Sequence, residues 1–376
     1  MSNPLAQLRE FGQSPWLDSI RRGMIDSGEL EAMRDSDGLG GITSNPAIFE
    51  KAVSDSDDYR GPLKDLVEAG VTDPEVLYER IATADIRAAA DVLEPLYRRT
   101  DGRDGFVSLE VSPRLARDTD GTVAEARRLW SEVDRPNAMI KVPATPEGIP
   151  AIETLVAEGL NINVTLLFSR AMYGRAAEAY LRGLEHRLEA GRPVDRVAGV
   201  ASFFLSRIDA KLEETARARR DDGDGRAGEA LAEAGNLAVA NAKMAYRDWQ
   251  ERFSGERWQR LAGAGARPQW LLWASTGTKD PGLSDVHYVE PLIGPGTVAT
   301  LPPDTYEAFR DHGRPGRTLD TGLEEAERVL AAVEGAGIAL DDLTDQLLDE
   351  GVDKFASAFD RLLEAVQEVR HEVAPA

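Results

Sequence analysis

The 376-residue chain contains no cysteine, which excludes a disulfide framework, a thiolate zinc site, an iron–sulfur cluster and a cysteine nucleophile. Histidine is nearly as scarce: His186, His287, His312 and His371 are the four, and their spacing fits no metal site. No apolar run reaches the length of a membrane span, and Arg9, Glu10 and Asp18 interrupt the segment where a signal peptide needs its apolar core. A cytoplasmic protein without a membrane partner is the expectation. Positive charge is also short, with 44 Lys and Arg against 66 Asp and Glu for a net of −22. Such a balance repels phosphate backbones, and the nearest basic cluster, Arg217-Ala-Arg-Arg220, runs straight into Asp221, Asp222 and Asp224. That cluster reads as a solvated helix end, so nucleic acid is not an expected partner.

What remains is the composition of an ordinary globular protein, 42% hydrophobic and 29% charged. Short apolar runs alternate with longer stretches of helical period almost from end to end, the pattern of βα units around a parallel sheet. Strands are expected at Trp16 to Ile20, Leu39 to Asn45, Phe106 to Ser112, Ala138 to Ala144, Ile162 to Ser169, Val197 to Leu205 and Trp270 to Thr276. A weaker one is expected at Thr297 to Leu301. Helices are expected at Ala171 to Ala190, capped by Ser169 and stopped at Gly191, and at about Gly228 to Phe253. A third covers Lys354 to Arg370, where Phe355, Phe359, Leu362, Leu363 and Val366 form one stripe. Eight strands each leading toward a helix suggest an α/β chain folded as a (β/α)8 barrel. The rival, an open doubly wound sheet, lacks the GxGxxG that would support its dinucleotide-binding form. Residues 1–376 read as one domain, with the last part, about 302–376, adding helices packed on the outside of the barrel.

Alternate strand residues share a face, so polar residues within the apolar runs sort by parity. Ser108 and Glu110 oppose Val107, Leu109 and Val111; Lys141 opposes Ile140 and Val142; Asn163 and Thr165 oppose Ile162, Val164, Leu166 and Phe168. Asp18, Thr43 with Asn45, and Ser202 repeat the theme, and a barrel would gather these groups at the carboxyl end of its strands. Only seven of the basic residues are lysines, and Lys141 alone lies inside an apolar strand. Burial favours a neutral amine, the nucleophile that forms a Schiff base with a carbonyl. Two readings stay open: that nucleophile, or a cation held by a buried carboxylate such as Glu110. A lysine with two carboxylates and a threonine is the equipment for reversible carbon–carbon cleavage of a ketose, with Asp18 and Glu110 as proton-transfer candidates. Each carboxylate also has a structural reading, Asp18 as a cap and Glu110 as an ion-pair partner. Ser202 and Arg207, at the start of an expected helix, suit a phosphate, as does the loop Ser275-Thr-Gly-Thr-Lys279; an inward small residue, a surface arginine and an ordinary turn are the alternatives.

At this point the residues resemble a known family. Gly41-Ile-Thr-Ser-Asn-Pro-Ala-Ile-Phe49 resembles the first transaldolase signature, and Ala138-Met-Ile-Lys-Val-Pro-Ala-Thr-Pro-Glu-Gly-Ile149 resembles the segment around that family's Schiff-base lysine. Val107-Ser-Leu-Glu-Val111, Asn163-Val-Thr-Leu-Leu-Phe-Ser169 and Ser202-Phe-Phe-Leu-Ser-Arg207 are similar to further transaldolase strands, in order. The resemblance implies a (β/α)8 barrel of the longer bacterial or plant-like form, acting in the non-oxidative pentose phosphate pathway. Its reaction would move a dihydroxyacetone unit from fructose 6-phosphate or sedoheptulose 7-phosphate to an aldose phosphate. By that resemblance Lys141 forms the Schiff base, Glu110 and Thr165 hold a water, and Asp18 is the acid/base. Asn45 and Asn163 bind hydroxyls beside Phe204, Ser202 and Arg207 bind phosphate, and no metal or organic cofactor is implied. Many members place an arginine after the seventh strand; here Ser275 or Lys279 would have to substitute. The alternatives are a fructose 6-phosphate aldolase that releases dihydroxyacetone and a non-catalytic sugar-phosphate-binding barrel, and oligomeric state stays open.

Overall fold

The computed structural model describes residues 3–373. Eight parallel strands close on themselves in sequence order: β1 (Gln13–Leu17), β2 (Gly41–Ile42), β3 (Phe106–Glu110), β4 (Ala138–Pro143), β5 (Ile162–Leu167), β6 (Gly199–Phe204), β7 (Trp270–Ala274) and β8 (Thr297–Leu301). Helices follow the strands and surround the barrel, the (β/α)8 architecture expected from the alternation of short apolar runs with helical periods.

Most strands are a residue or more shorter than the sequence reading, and two depart from it most. β1 begins at Gln13 and ends at Leu17, because it pairs along its whole length with β8, from Gln13 opposite Thr297 to Leu17 opposite Leu301. The Gln13 amide reaches the Leu292 carbonyl at 2.7 Å and Thr297 Oγ1 at 3.0 Å, so a polar residue is buried at a strand start that polarity alone would place in a loop. Asp18 then lies just past the strand, its backbone N–H donating to Leu301 O at 2.8 Å. β2 is only two residues long, since Asn45 already caps the helix Pro46–Ser54 by accepting from the Ile48 N–H at 3.1 Å. Gly41 admits no side chain, because a Cβ there would lie 2.4 Å from the Trp16 ring.

β5 carries a local irregularity. Leu166 adopts φ of 59°, and the pairing with β6 shifts register between Val164 and Leu167. A non-glycine residue in the left-handed region is uncommon and strained; here the bulge falls directly after Thr165. The helix Arg170–Glu189 starts as expected, with Ser169 Oγ accepting from Met172 N–H at 3.0 Å. The long helix expected from Gly228 to Phe253 is two helices, Ala227–Ala232 and Leu237–Arg252, broken where Gly235 takes φ of 91°.

The final helix runs 34 residues, Leu340–Val373, and packs against outer helices and the carboxyl end of the barrel. It packs on the helix Pro46–Ser54, and Gly351 brings it close to Leu166 and Phe168 at the carboxyl end of β5, where a Cβ would lie 3.0 Å from the Leu166 side chain. Phe355, Phe359, Leu362 and Val366 are buried as one stripe, while Leu363 is only partly buried. Phe359 is 2% exposed and meets the Tyr78 ring edge-on at 5.6 Å. Phe359→Ala should therefore cost about 3–5 kcal/mol, read as a lowered denaturation midpoint; a cost under about 1 kcal/mol would mean the helix is loosely seated. No helix among the described residues is long and apolar enough to cross a membrane.

Candidate active site

β3, β4 and β5 place their inward polar residues side by side, because parallel register sets Glu110 beside Lys141 and Lys141 beside Asn163. The Lys141 side chain is 5% exposed, its Nζ 3.2 Å from Glu110 Oε2 and donating to the Ser44 carbonyl at 3.0 Å. Glu110 Oε2 has no aligned hydrogen bond, so the pair is a charge contact whose carboxylate keeps acceptor capacity. Both structural and catalytic readings of the lysine thus meet in one geometry: an ammonium with a carboxylate in reach, and a proton acceptor already beside the amine.

A cavity of about 80 Å3 opens above Lys141. Asp18, Asn45, Lys141, Thr165, Ser202, Phe204, Arg207 and Ser275 line it, which brings together eight of the residues singled out from sequence. Asp18 accepts from Thr43 Oγ1 at 2.6 Å, and Thr43 in turn lies 2.7 Å from Thr300 Oγ1. Burial raises the Asp18 pKa above the ordinary aspartate value, opposed by the charges of Lys141 and Arg207 and by the Thr43 hydrogen bond. Glu110 is raised for the same reason, with Lys141 as the main opposing influence. Thr165 is fully buried and its hydroxyl has no protein partner, leaving it for whatever enters beside the amine.

Glu110 and Asn163 sit behind the lining. Asn163 Oδ1 accepts from the Ser202 hydroxyl at 2.7 Å and its Nδ2 donates to Ser108 Oγ at 3.0 Å, a chain that runs across β6, β5 and β3. Ser202 therefore directs its proton to Asn163, and Asn163 holds the strands in line beneath the cavity. Asn45 spends its carbonyl on the helix cap, which fixes its side chain at the rim. Arg207 faces the cavity from the first turn of the helix Ser206–Asp221, its guanidinium over the Phe204 ring at 5.3 Å and the Phe355 ring at 5.8 Å. Its Nη1 is buried without a partner, and burial lowers its pKa against the pull of Asp18 and Glu110. Ser275, at φ of 55°, turns the chain beneath Arg207, with its hydroxyl 2.9 Å from that of Ser206. Lys279 is exposed and lines a neighbouring groove instead.

Thr43 lines the cavity as its parity with Asn45 implied, though no role was given to it, and three further lining residues escaped the sequence reading: Ala274, Thr300 and Phe355. Ala274 is an apolar strand end, and Thr300 is a lone inward hydroxyl in an apolar strand. Phe355 had no signal beyond its apolar stripe. No group of histidines and carboxylates among the described residues could hold a metal ion.

Fold and site together define the class: a (β/α)8 barrel enzyme with a buried amine set among carboxylates at the carboxyl end of its strands. Residues 15–366 match the Transaldolase/Fructose-6-phosphate aldolase family. The chain is 49% identical over 368 residues to a transaldolase of Thermobifida fusca (strain YX), covering 97% of this chain and 98% of that protein. It is 46% identical over 374 residues to a transaldolase of Parafrankia sp. (strain EAN1pec), covering 98% of each. It is 44% identical over 379 residues to transaldolase 2 of Nostoc punctiforme, covering 100% of this chain and 99% of that protein. The chain belongs to the transaldolase/fructose-6-phosphate aldolase family, and its activity is that of a transaldolase, a transferase.

Proposed function

We propose that the chain moves a dihydroxyacetone unit from fructose 6-phosphate or sedoheptulose 7-phosphate to glyceraldehyde 3-phosphate or erythrose 4-phosphate through a Schiff base on Lys141. The observation that carries this reading is the Lys141 amine, which shares the cavity lining with Asp18 and lies 3.2 Å from Glu110 behind that lining. Glu110 takes a proton from the ammonium, the neutral amine adds to the ketose carbonyl, and the carbinolamine loses water with Glu110 and Thr165 handling the proton and the water. Asp18 then removes the proton from the hydroxyl beyond the bond to be broken; that bond's electrons pass into the iminium and the aldose phosphate leaves. The remaining enamine attacks the acceptor aldehyde, Asp18 returns the proton, and water releases the new ketose. Asn45 holds hydroxyls of the three-carbon unit with Phe204 packed beside it, while Asn163 and Ser202 hold the wall in place. Arg207, with Ser275 beside it in the cavity lining, receives the phosphate, and Lys279, in the adjoining groove, is not part of that lining.

Borohydride reduction with fructose 6-phosphate, followed by intact mass and peptide mapping, tests this reading. A three-carbon adduct on Lys141 that shrinks when erythrose 4-phosphate is added, with sedoheptulose 7-phosphate appearing, supports it. Free dihydroxyacetone as the main product would make the chain an aldolase, and saturable binding without an adduct would leave a binding barrel. Arg207→Ala should raise KM for fructose 6-phosphate by about tenfold or more, and far less for free dihydroxyacetone as donor. Equal effects on both would remove Arg207 from the phosphate end.

We also place this reaction in the cytoplasm, since sugar phosphates are too highly charged to cross a bilayer unaided. One domain spanning the chain is part of the same reading, supported by a single hydrophobic cluster that extends from Leu5 to Val366.

A further inference from the structure

Helical spacing sets Lys211 one turn beyond Arg207 on the helix Ser206–Asp221, so the two cations share a face. Arg207 borders both the cavity over Lys141 and an adjoining groove of about 870 Å3, and Lys211 borders that groove directly beside it. The Lys211 side chain is only 11% exposed, and its ammonium is held by Glu350 at 2.7 Å, with Glu214 farther off at 3.6 Å. Glu350 lies on the final helix, is also 3.4 Å from Lys354, and acts electrostatically on Arg207. Five residues on, the same helix delivers Phe355 to the cavity and to the Arg207 guanidinium.

We propose that Lys211 is the second phosphate-binding cation of this site, and that Glu350 occupies it until a sugar phosphate arrives. This rests on the reading that Arg207 marks the phosphate end. A phosphate on the Arg207 Nη1 side that extends into the groove meets the Lys211 ammonium as its nearest further cation on that helix face, while Lys279, which also lines the groove, is exposed. A lysine acts as a point charge without the fixed fork of a guanidinium, so it can turn from a carboxylate to a phosphate with little change elsewhere. Substrate phosphate and Glu350 then compete for one ammonium, and the final helix reports on whether the phosphate end is filled.

The competition has opposite signs for its two members, which separates it from a structural clasp. Inorganic phosphate as an inhibitor against fructose 6-phosphate gives the readout, with KM and kcat recorded for each variant. Lys211→Met should raise the phosphate inhibition constant and the KM about tenfold, with kcat changing less than about threefold. Glu350→Gln should lower both constants, since it frees Lys211 and removes a negative charge near Arg207. If Glu350→Gln weakens phosphate as Lys211→Met does, the pair is only a clasp and the proposal falls. It falls as well if Lys211→Met leaves the inhibition constant in place while Arg207→Ala raises it. Should neither Lys211→Met nor Arg207→Ala move it, the phosphate end itself is elsewhere and the reading beneath the proposal fails with it.

Discussion

Lys141→Ala abolishes borohydride trapping and lowers turnover by about 10^4-fold or more, while Lys141→Arg does the same with the charge retained. The pair of variants separates the two roles that the geometry superimposes. A guanidinium satisfies Glu110 as an ion-pair partner but stays protonated and cannot attack a carbonyl, so a purely structural lysine would tolerate it. Stability gives a second signature. In the alanine variant Glu110 loses the main influence that opposes its burial, and its pKa rises further. A carboxyl whose folded pKa lies above its unfolded value binds more protons in the folded state, so folding stability falls as pH rises between the two values. Wild-type Glu110 is itself raised above 4.5, so the extra penalty in Lys141→Ala begins only as pH passes the wild-type folded pKa, grows up to the variant's higher one, and is constant beyond it. Urea midpoints measured across pH check this, and retained trapping in either variant would move the nucleophile to another residue.

The parts of this site visible in the sequence are those set by strand parity. Lys141, Glu110 and Thr165 could be assigned to the inner face because their neighbours Val142, Val111 and Val164 are apolar and face the helices, and a strand offers only two faces. Parity did not separate the cavity wall from the layer beneath it: Asn163 and Thr165 share a face, yet only Thr165 lines the cavity, because Ser202 and Ser108 occupy the Asn163 amide. Nor did it foresee Leu166, whose positive φ runs against its own propensity and is held by packing under Gly351 of the final helix. That helix is the largest gap. Its apolar stripe was legible, but a stripe states only that a face is buried, and the partner that buries it lies hundreds of residues away in sequence. Phe355 at the cavity and Glu350 at Lys211 both follow from this one crossing. Gln13 hid the start of β1 for a related reason: a polar side chain that finds the Leu292 carbonyl looks in sequence like a surface residue.

Asp18→Asn keeps Schiff-base formation and loses bond cleavage, so the trapped species changes in mass. The wild-type enzyme incubated with fructose 6-phosphate and reduced should carry a three-carbon adduct, because cleavage precedes reduction. The variant should carry the whole six-carbon sugar phosphate on Lys141, with kcat lower by about 10^2- to 10^4-fold as for loss of a general base. Asn is near in shape and can still accept from Thr43, which lies 2.6 Å from Asp18 Oδ1, so the wall should hold. What it cannot do is take the hydroxyl proton. The pH profile carries the same information: cleavage needs the carboxylate, and burial raises the Asp18 pKa, so wild-type kcat should decline on the acid side at a pH above the ordinary aspartate value of 3.8. That limb should disappear from the residual activity of the variant. A three-carbon adduct forming in Asp18→Asn at near wild-type rate would assign the proton transfer to Glu110, the other carboxylate in reach of the amine, and leave Asp18 as a polar partner for Thr43.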